Sequence, residues 1–198
     1  MSVWSRRDEG KGVVRLRWLT LLLLLLSVPG AASAAVPSLE ELFGSYTGYA
    51  EVVDLVTGER ERREMDVVIE RYQRRGFRVR WTNVSLVDGR RDVPGVKRRE
   101  MAVAFKPAPD GSYFVEAPEY NPFRRKEEIQ PLEGDPIRWA VLDDSGLYIY
   151  SFVVLLDGRY ELQMYRRFPE REGIGLLYER ILDGTVVKRI TGYAVRTE

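Results

Sequence analysis

The chain contains neither histidine nor cysteine. Without histidine, no imidazole can act as general base, as metal ligand or as part of a His-containing nucleophile triad. Without cysteine there is no disulfide, no thiolate nucleophile and no thiolate for zinc. Lysine is scarce as well: 26 arginines stand against five lysines, a skew that fits a GC-rich bacterial genome. No Ser-x-x-Lys spacing occurs, so Ser112, Ser145 and Ser151 lack both usual bases and read as polar strand or turn residues. An excess of positive charge is missing too. The formal net charge is +1, and beyond residue 34 there are 26 basic and 28 acidic residues, since five basic and two acidic ones precede that point. A nucleic-acid partner, which requires a clear basic excess, is therefore not expected. Long helical periodicity is also absent. These gaps favour a non-enzyme without cofactor or metal.

What is present begins with an export signal. Arg6, Arg7, Lys11, Arg15 and Arg17 precede an apolar run, Trp18–Val28, that contains six consecutive leucines, Leu21–Leu26. Pro29 and Gly30 end the run, and Ala32-Ser33-Ala34 supplies the small residues of a cleavage site between Ala34 and Ala35. The run is 11 residues long, against roughly 20 needed to span a bilayer, which favours a signal over an anchor. Arg6-Arg7 invites a twin-arginine reading, but Asp8-Glu9 and the long gap to the leucines oppose it. A start near Val13 or Val14 would leave a compact basic end. Residues 1–34 are thus expected to be a signal peptide, and 35–198 a single domain, periplasmic or secreted, in a Gram-negative bacterium.

Within that domain the apolar residues alternate. Met65, Val67 and Ile69 alternate with Glu64, Asp66 and Glu70; Phe77, Val79 and Trp81 with Arg78, Arg80 and Thr82; Met101, Val103 and Phe105 with Glu100, Ala102 and Ala104; and Leu162 and Met164 with Glu161, Gln163 and Tyr165. This is the pattern of half-buried antiparallel strands. Turn pairs separate them: Thr57-Gly58, Asp88-Gly89, Asp110-Gly111, Ser145-Gly146, Asp157-Gly158 and Asp183-Gly184. Strands are expected near 45–54, 62–72, 76–87, 96–106, 112–117, 137–143, 146–156, 159–168, 174–182 and 185–196. Leu147–Leu156 is apolar on both faces and should be covered on both sides or lie under a loop. Such a chain must hide its edges, so the expected fold is all-β: an antiparallel up-and-down β-barrel of about 8–10 strands with a short N-terminal helical turn at Ser38–Phe43. The segment 118–136 carries Pro118, Pro122, Pro131 and Pro136 and reads as a solvated insertion or a lid.

The helical turn, then Gly44-Ser45-Tyr46-Thr47-Gly48 opening the first strand, then the hairpin meander, resembles the calycin superfamily of lipocalins and fatty-acid-binding proteins. Lipocalins carry Gly-x-Trp on the first strand with an arginine of the last strand packed over the Trp. Here Tyr46 takes the Trp position, and Arg189 or Arg196 would be the covering arginine. The last hairpin, Tyr178–Val195 around Asp183-Gly184, is similar in layout to the closing hairpin of the fatty-acid-binding group. The resemblance implies a barrel that holds a small apolar or amphipathic ligand.

The residues themselves offer one kind of site. Tyr46, Phe77, Trp81, Phe105, Phe152 and Trp139 read as inward aromatics, with Asn83 and Ser85 following Trp81 on its face; an apolar wall ending in polar groups suits a small-molecule pocket. Eight strands leave room only for side chains, ten leave more, so a filled core stays open beside a cavity. Tyr120, Phe123, Arg124 and Arg125 of the long loop are the candidates for the rim. Asp143-Asp144 and Glu127-Glu128 read as solvated pairs. The arginine pairs Arg62-Arg63, Arg74-Arg75, Arg90-Arg91, Arg98-Arg99, Arg124-Arg125 and Arg166-Arg167 fit cross-strand ion pairs, though alternation turns one member of a strand pair inward or to a rim, where it could meet an acidic ligand. The functional expectation is an exported barrel binding a small apolar or amphipathic ligand. Its rivals are an envelope protein-interaction module with a filled core and, less favoured, an outer-membrane barrel. Against the last stand the helix-like start, the Arg196-Thr197-Glu198 end and the two-faced apolar segment.

Overall fold

The structure is a computed structural model that describes residues 37–117 and 129–197. The expected signal peptide, its Ala34–Ala35 junction, and the rim candidates Tyr120, Phe123, Arg124 and Arg125 lie outside the described residues. Ten strands follow in chain order: β1 (Gly44–Asp54), β2 (Arg60–Tyr72), β3 (Gly76–Ser85), β4 (Lys97–Pro107), β5 (Phe114–Glu116), β6 (Ile137–Asp143), β7 (Gly146–Val154), β8 (Tyr160–Glu170), β9 (Gly173–Leu182) and β10 (Thr185–Arg196). Each pairs antiparallel with its sequence neighbours, and β1 pairs with β10, Tyr46 opposite Arg196, to close an up-and-down barrel. Closure removes both sheet edges, which a disulfide-free β domain otherwise leaves open to other chains.

The two halves of the barrel differ inside. One end is solid. Phe77 and Phe105 stack at 5.0 Å, Phe114 meets Phe77 edge-on at 5.1 Å, and Tyr46, Leu42, Ile69, Leu147 and Ile174 are fully buried around them. A 3₁₀ turn, Leu39–Leu42, closes this end. Ser38 and Glu41 cap it reciprocally, and the Tyr46 hydroxyl donates to the Leu42 carbonyl at 2.9 Å. Arg196 donates to the Phe43 and Glu41 carbonyls, both at 2.6 Å, and its guanidinium lies 5.2 Å from the centre of the Tyr46 ring. Of the two arginines that could cover Tyr46, Arg196 does so; Arg189 faces outward and pairs with Glu179 at 2.7 Å.

The outer wall is sided. On β2 and β3 it is charged, with Glu70, Arg78 and Arg80 in ion-pair contact. On β6–β8 it is aromatic. Trp139 stacks on Tyr150 at 5.1 Å, Tyr150 on Tyr148 at 6.1 Å, and Phe152 on Tyr160 at 5.8 Å. Among the described residues no second sheet or helix of the barrel wall lies over the outer rings of the two-faced apolar strand β7. Its outward rings cover one another instead, which offset stacking and the 5.6 Å approach of Arg166 to Tyr148 make tolerable.

Candidate functional site

The other end of the barrel is hollow. A cavity of about 740 Å³ occupies it, lined by apolar, polar and cationic side chains. The cavity has three levels. Towards the solid end it meets Val67, Val103, Ile149, Leu176 and Arg167. A belt of Met65, Trp81, Met101, Tyr165, Tyr178 and Ile190 follows. Within it the Tyr165 ring lies 5.2 Å from Trp81 and 4.8 Å from Tyr178. The mouth is polar: Asn83, Ser85, Ser151 and Gln163 stand among Arg63, Lys97, Arg99, Arg138, Arg180 and Lys188, with Gly134 and Pro136 of the long loop at the edge.

Of seven cationic side chains in the wall, three are answered. Arg63 donates to Glu61 at 2.6 Å, Arg138 to Glu116 at 2.9 Å, and Arg180 to Glu161 through Nε (2.8 Å) and Nη2 (2.6 Å). Burial raises the pKa of Glu161, but the Arg180 bonds, the Gln163 amide and the Arg180 charge outweigh it and hold the carboxyl below the usual range. A polar ladder continues from it: Gln163 donates to Glu161 at 2.6 Å, and the Tyr165 hydroxyl to Gln163 at 2.7 Å. Lys97, Arg99, Arg167 and Lys188 have no carboxylate partner among the described residues. Lys188 faces the cavity in phase with Ile190 on β10, and the register shift of the β9–β10 ladder lies just beyond it, between Val186 and Lys188.

Arg167 differs from the other three. It is 4% exposed, its Nη1 donates to the Arg166 carbonyl at 3.0 Å, and its Nε has no partner. Burial lowers its pKa to about 10, opposed only by Tyr165, so it remains charged at neutral pH. Burial likewise raises the phenols of Tyr165 and Tyr178, and both stay neutral. Among the described residues no group of three or more Asp or Glu could hold a metal ion.

The structure brings together only part of what the sequence singled out. Trp81 and Asn83 line the cavity. Tyr46, Phe77 and Phe105 point inward but lie in the solid end, away from it. The inward reading of Trp139 is corrected: Trp139 lies on the outer wall against Tyr150. On β6 the inward residues are Arg138, which lines the cavity, Ala140, fully buried opposite Ile149, and Leu142, packed on the core opposite Leu147. Phe152 is outward for the same reason of phase. The cations of the mouth and floor were not singled out as site residues, although Arg63, Arg99 and Arg167 are the inward members of three arginine pairs. The chain matches no protein-family model, and no curated protein resembles it in sequence.

Proposed function

We propose that the domain is an exported, calycin-like barrel that binds a small amphipathic molecule inside its open half. The observation that carries this reading is the cavity itself: about 740 Å³, within the range of roughly 300–1,000 Å³ typical of ligand pockets, with an apolar belt and a few convergent polar groups. A barrel built only to present its surface has no use for unanswered cations turned inward. The closing turn and the Arg196–Tyr46 contact support kinship with calycins, and the basic start, leucine run and Ala-x-Ala of the N-terminus support export. Trp81 is the reporter of choice. With Trp139→Phe, it is the one tryptophan left beyond the expected signal, and long-chain amphiphiles should quench it saturably. Absence of saturable quenching by charged and neutral amphiphiles alike, together with no small molecule in native mass spectra of protein taken from its source, would defeat the reading.

A second reading, a protein-interaction module of the cell envelope, rests on the outer stripe of Trp139, Tyr148 and Tyr150, residue types enriched at interface centres. An outer-membrane barrel is disfavoured by the charged outer wall of β2 and β3, since such barrels need an apolar band all round.

A further inference from the structure

The four unanswered cations of the cavity fall in two places. Lys97, Arg99 and Lys188 stand at the mouth. Arg167 stands at the floor end of β8, opposite Leu147 and Leu176 on its neighbouring strands. Between the two lies the apolar belt around Trp81. The mouth cations keep water and need no partner to be tolerated. Arg167 is charged and desolvated; the Tyr165 ring 5.8 Å away and the Arg166 carbonyl are its partners, and no carboxylate among the described residues neutralises it, the condition under which a buried ion is costly. The Tyr165 phenol near it is neutral, and its hydroxyl is already spent on Gln163. With Nη1 held by the Arg166 carbonyl and Nε buried without a partner, Nη2 is the guanidinium nitrogen left for an incoming carboxylate, through a charge-assisted bond.

One acidic group cannot answer both places. Along β8 the inward Tyr165 and Gln163 stand between Arg167 and the mouth. We propose that the cavity takes an elongated molecule that is acidic at both ends: an apolar chain with one carboxylate against Arg167 and a second among Lys97, Arg99 and Lys188. This rests on the ligand-binding reading above and specifies its ligand class. The mouth cations draw the diacid in and hold its outer end in water, the belt covers its chain, and the inner carboxylate supplies the counter-charge that the fold withholds from Arg167.

Isothermal titration of the purified protein with hexadecanedioate, hexadecanoate and hexadecanol tests this. The diacid should bind at least about tenfold more tightly than the monoacid, and the monoacid more tightly than the alcohol. Arg167→Met should bring the diacid down to the monoacid's level and leave the alcohol unchanged. Lys97→Gln with Arg99→Gln should do the same, with one difference. The mouth contribution should fade as salt is raised, and the Arg167 contribution should persist. If Arg167→Met does not fold, Arg167→Lys, which keeps the charge and loses the guanidinium, should weaken the diacid severalfold and spare the alcohol. A diacid that binds no better than the monoacid, or an Arg167 variant that weakens acid and alcohol equally, would overturn the two-ended ligand and leave the cavity reading standing. No binding of any of the three would overturn both.

Discussion

At the scale of the residue, the direction of a side chain decides what its replacement costs. Val67 is fully buried, and Val67→Asp would place a carboxylate there without a partner. Its neighbour Asp66 faces outward to Thr47 and Arg91. Val67→Asp should remove several kcal/mol of stability, and Asp66→Ala about half a kcal/mol, as read from urea midpoints at constant slope. Arg167 inverts the usual expectation for a core residue. Replacing a buried, unanswered charge by an apolar side chain of similar volume is often neutral or stabilising by about 1–4 kcal/mol, so Arg167→Met should leave the unliganded protein at least as stable as before. A loss above about 2 kcal/mol would mark Arg167 as a structural residue. Period-two alternation made Trp81 and Asn83 legible from the sequence, because apolar and charged neighbours alternate cleanly on β3. The same rule misplaced Trp139. Assigning the aromatic to the inside and the arginine to the outside assumes a dry interior. In a barrel with a wet cationic half, Arg138 belongs inside and Trp139 finds its cover in Tyr150. The inward members of the arginine pairs escaped for that reason too: alternation said that one of each strand pair must turn in, and only the cavity says which are unanswered.

At the scale of the element, the seam between β1 and β10 is where the barrel closes, and it depends on close backbone approach. A Cβ on Gly48 would run into the Tyr193 carbonyl across the seam, and one on Gly192 would meet the Tyr49 carbonyl at 2.5 Å. Gly48→Val should therefore push β10 away and cost more than a substitution at exposed Thr47 beside it. Hydrogen exchange should show amide protection lost first along 44–54 and 185–196, with the β6–β8 ladder retained. Uniform loss across all strands would mean that the seam has no separate role. Ten strands were legible because Gly-containing turn pairs punctuate nearly every hairpin. β5 is shorter than expected, three residues, since only Phe114–Glu116 keep ladder pairing with β4 and β6. The register shift in β10 had no mark in the sequence, because Val186-Val187-Lys188 reads equally well in either phase.

At the scale of the whole molecule, ionisable groups buried in a disulfide-free barrel set the pH range in which it holds. Burial raises the pKa of Tyr46, Tyr165 and Tyr178 above the ordinary phenol value. The unfolded chain then loses those protons first. Stability from these groups is fully present below about pH 10 and falls as pH rises above it. Arg167 works in the opposite sense. Its pKa is lowered from the ordinary guanidinium value to about 10 in the fold, so above about pH 10 the unfolded chain holds the extra proton and stability rises with pH. Four phenols, Tyr150 included, against one guanidinium leave a net loss. On the acid side Glu161, held low chiefly by Arg180 against its burial, contributes stability above the ordinary carboxylate value of about 4 and loses it as pH falls below. Denaturant midpoints should therefore be level from about pH 5 to 9, decline above about pH 10, and do so identically with and without reductant. Arg167→Met removes the one opposing group and should steepen the alkaline decline while leaving the neutral plateau in place. A midpoint that stays flat to pH 11, or a variant curve parallel to that of the parent, would show that these phenols and this arginine do not sit in the low-dielectric interior that the barrel gives them.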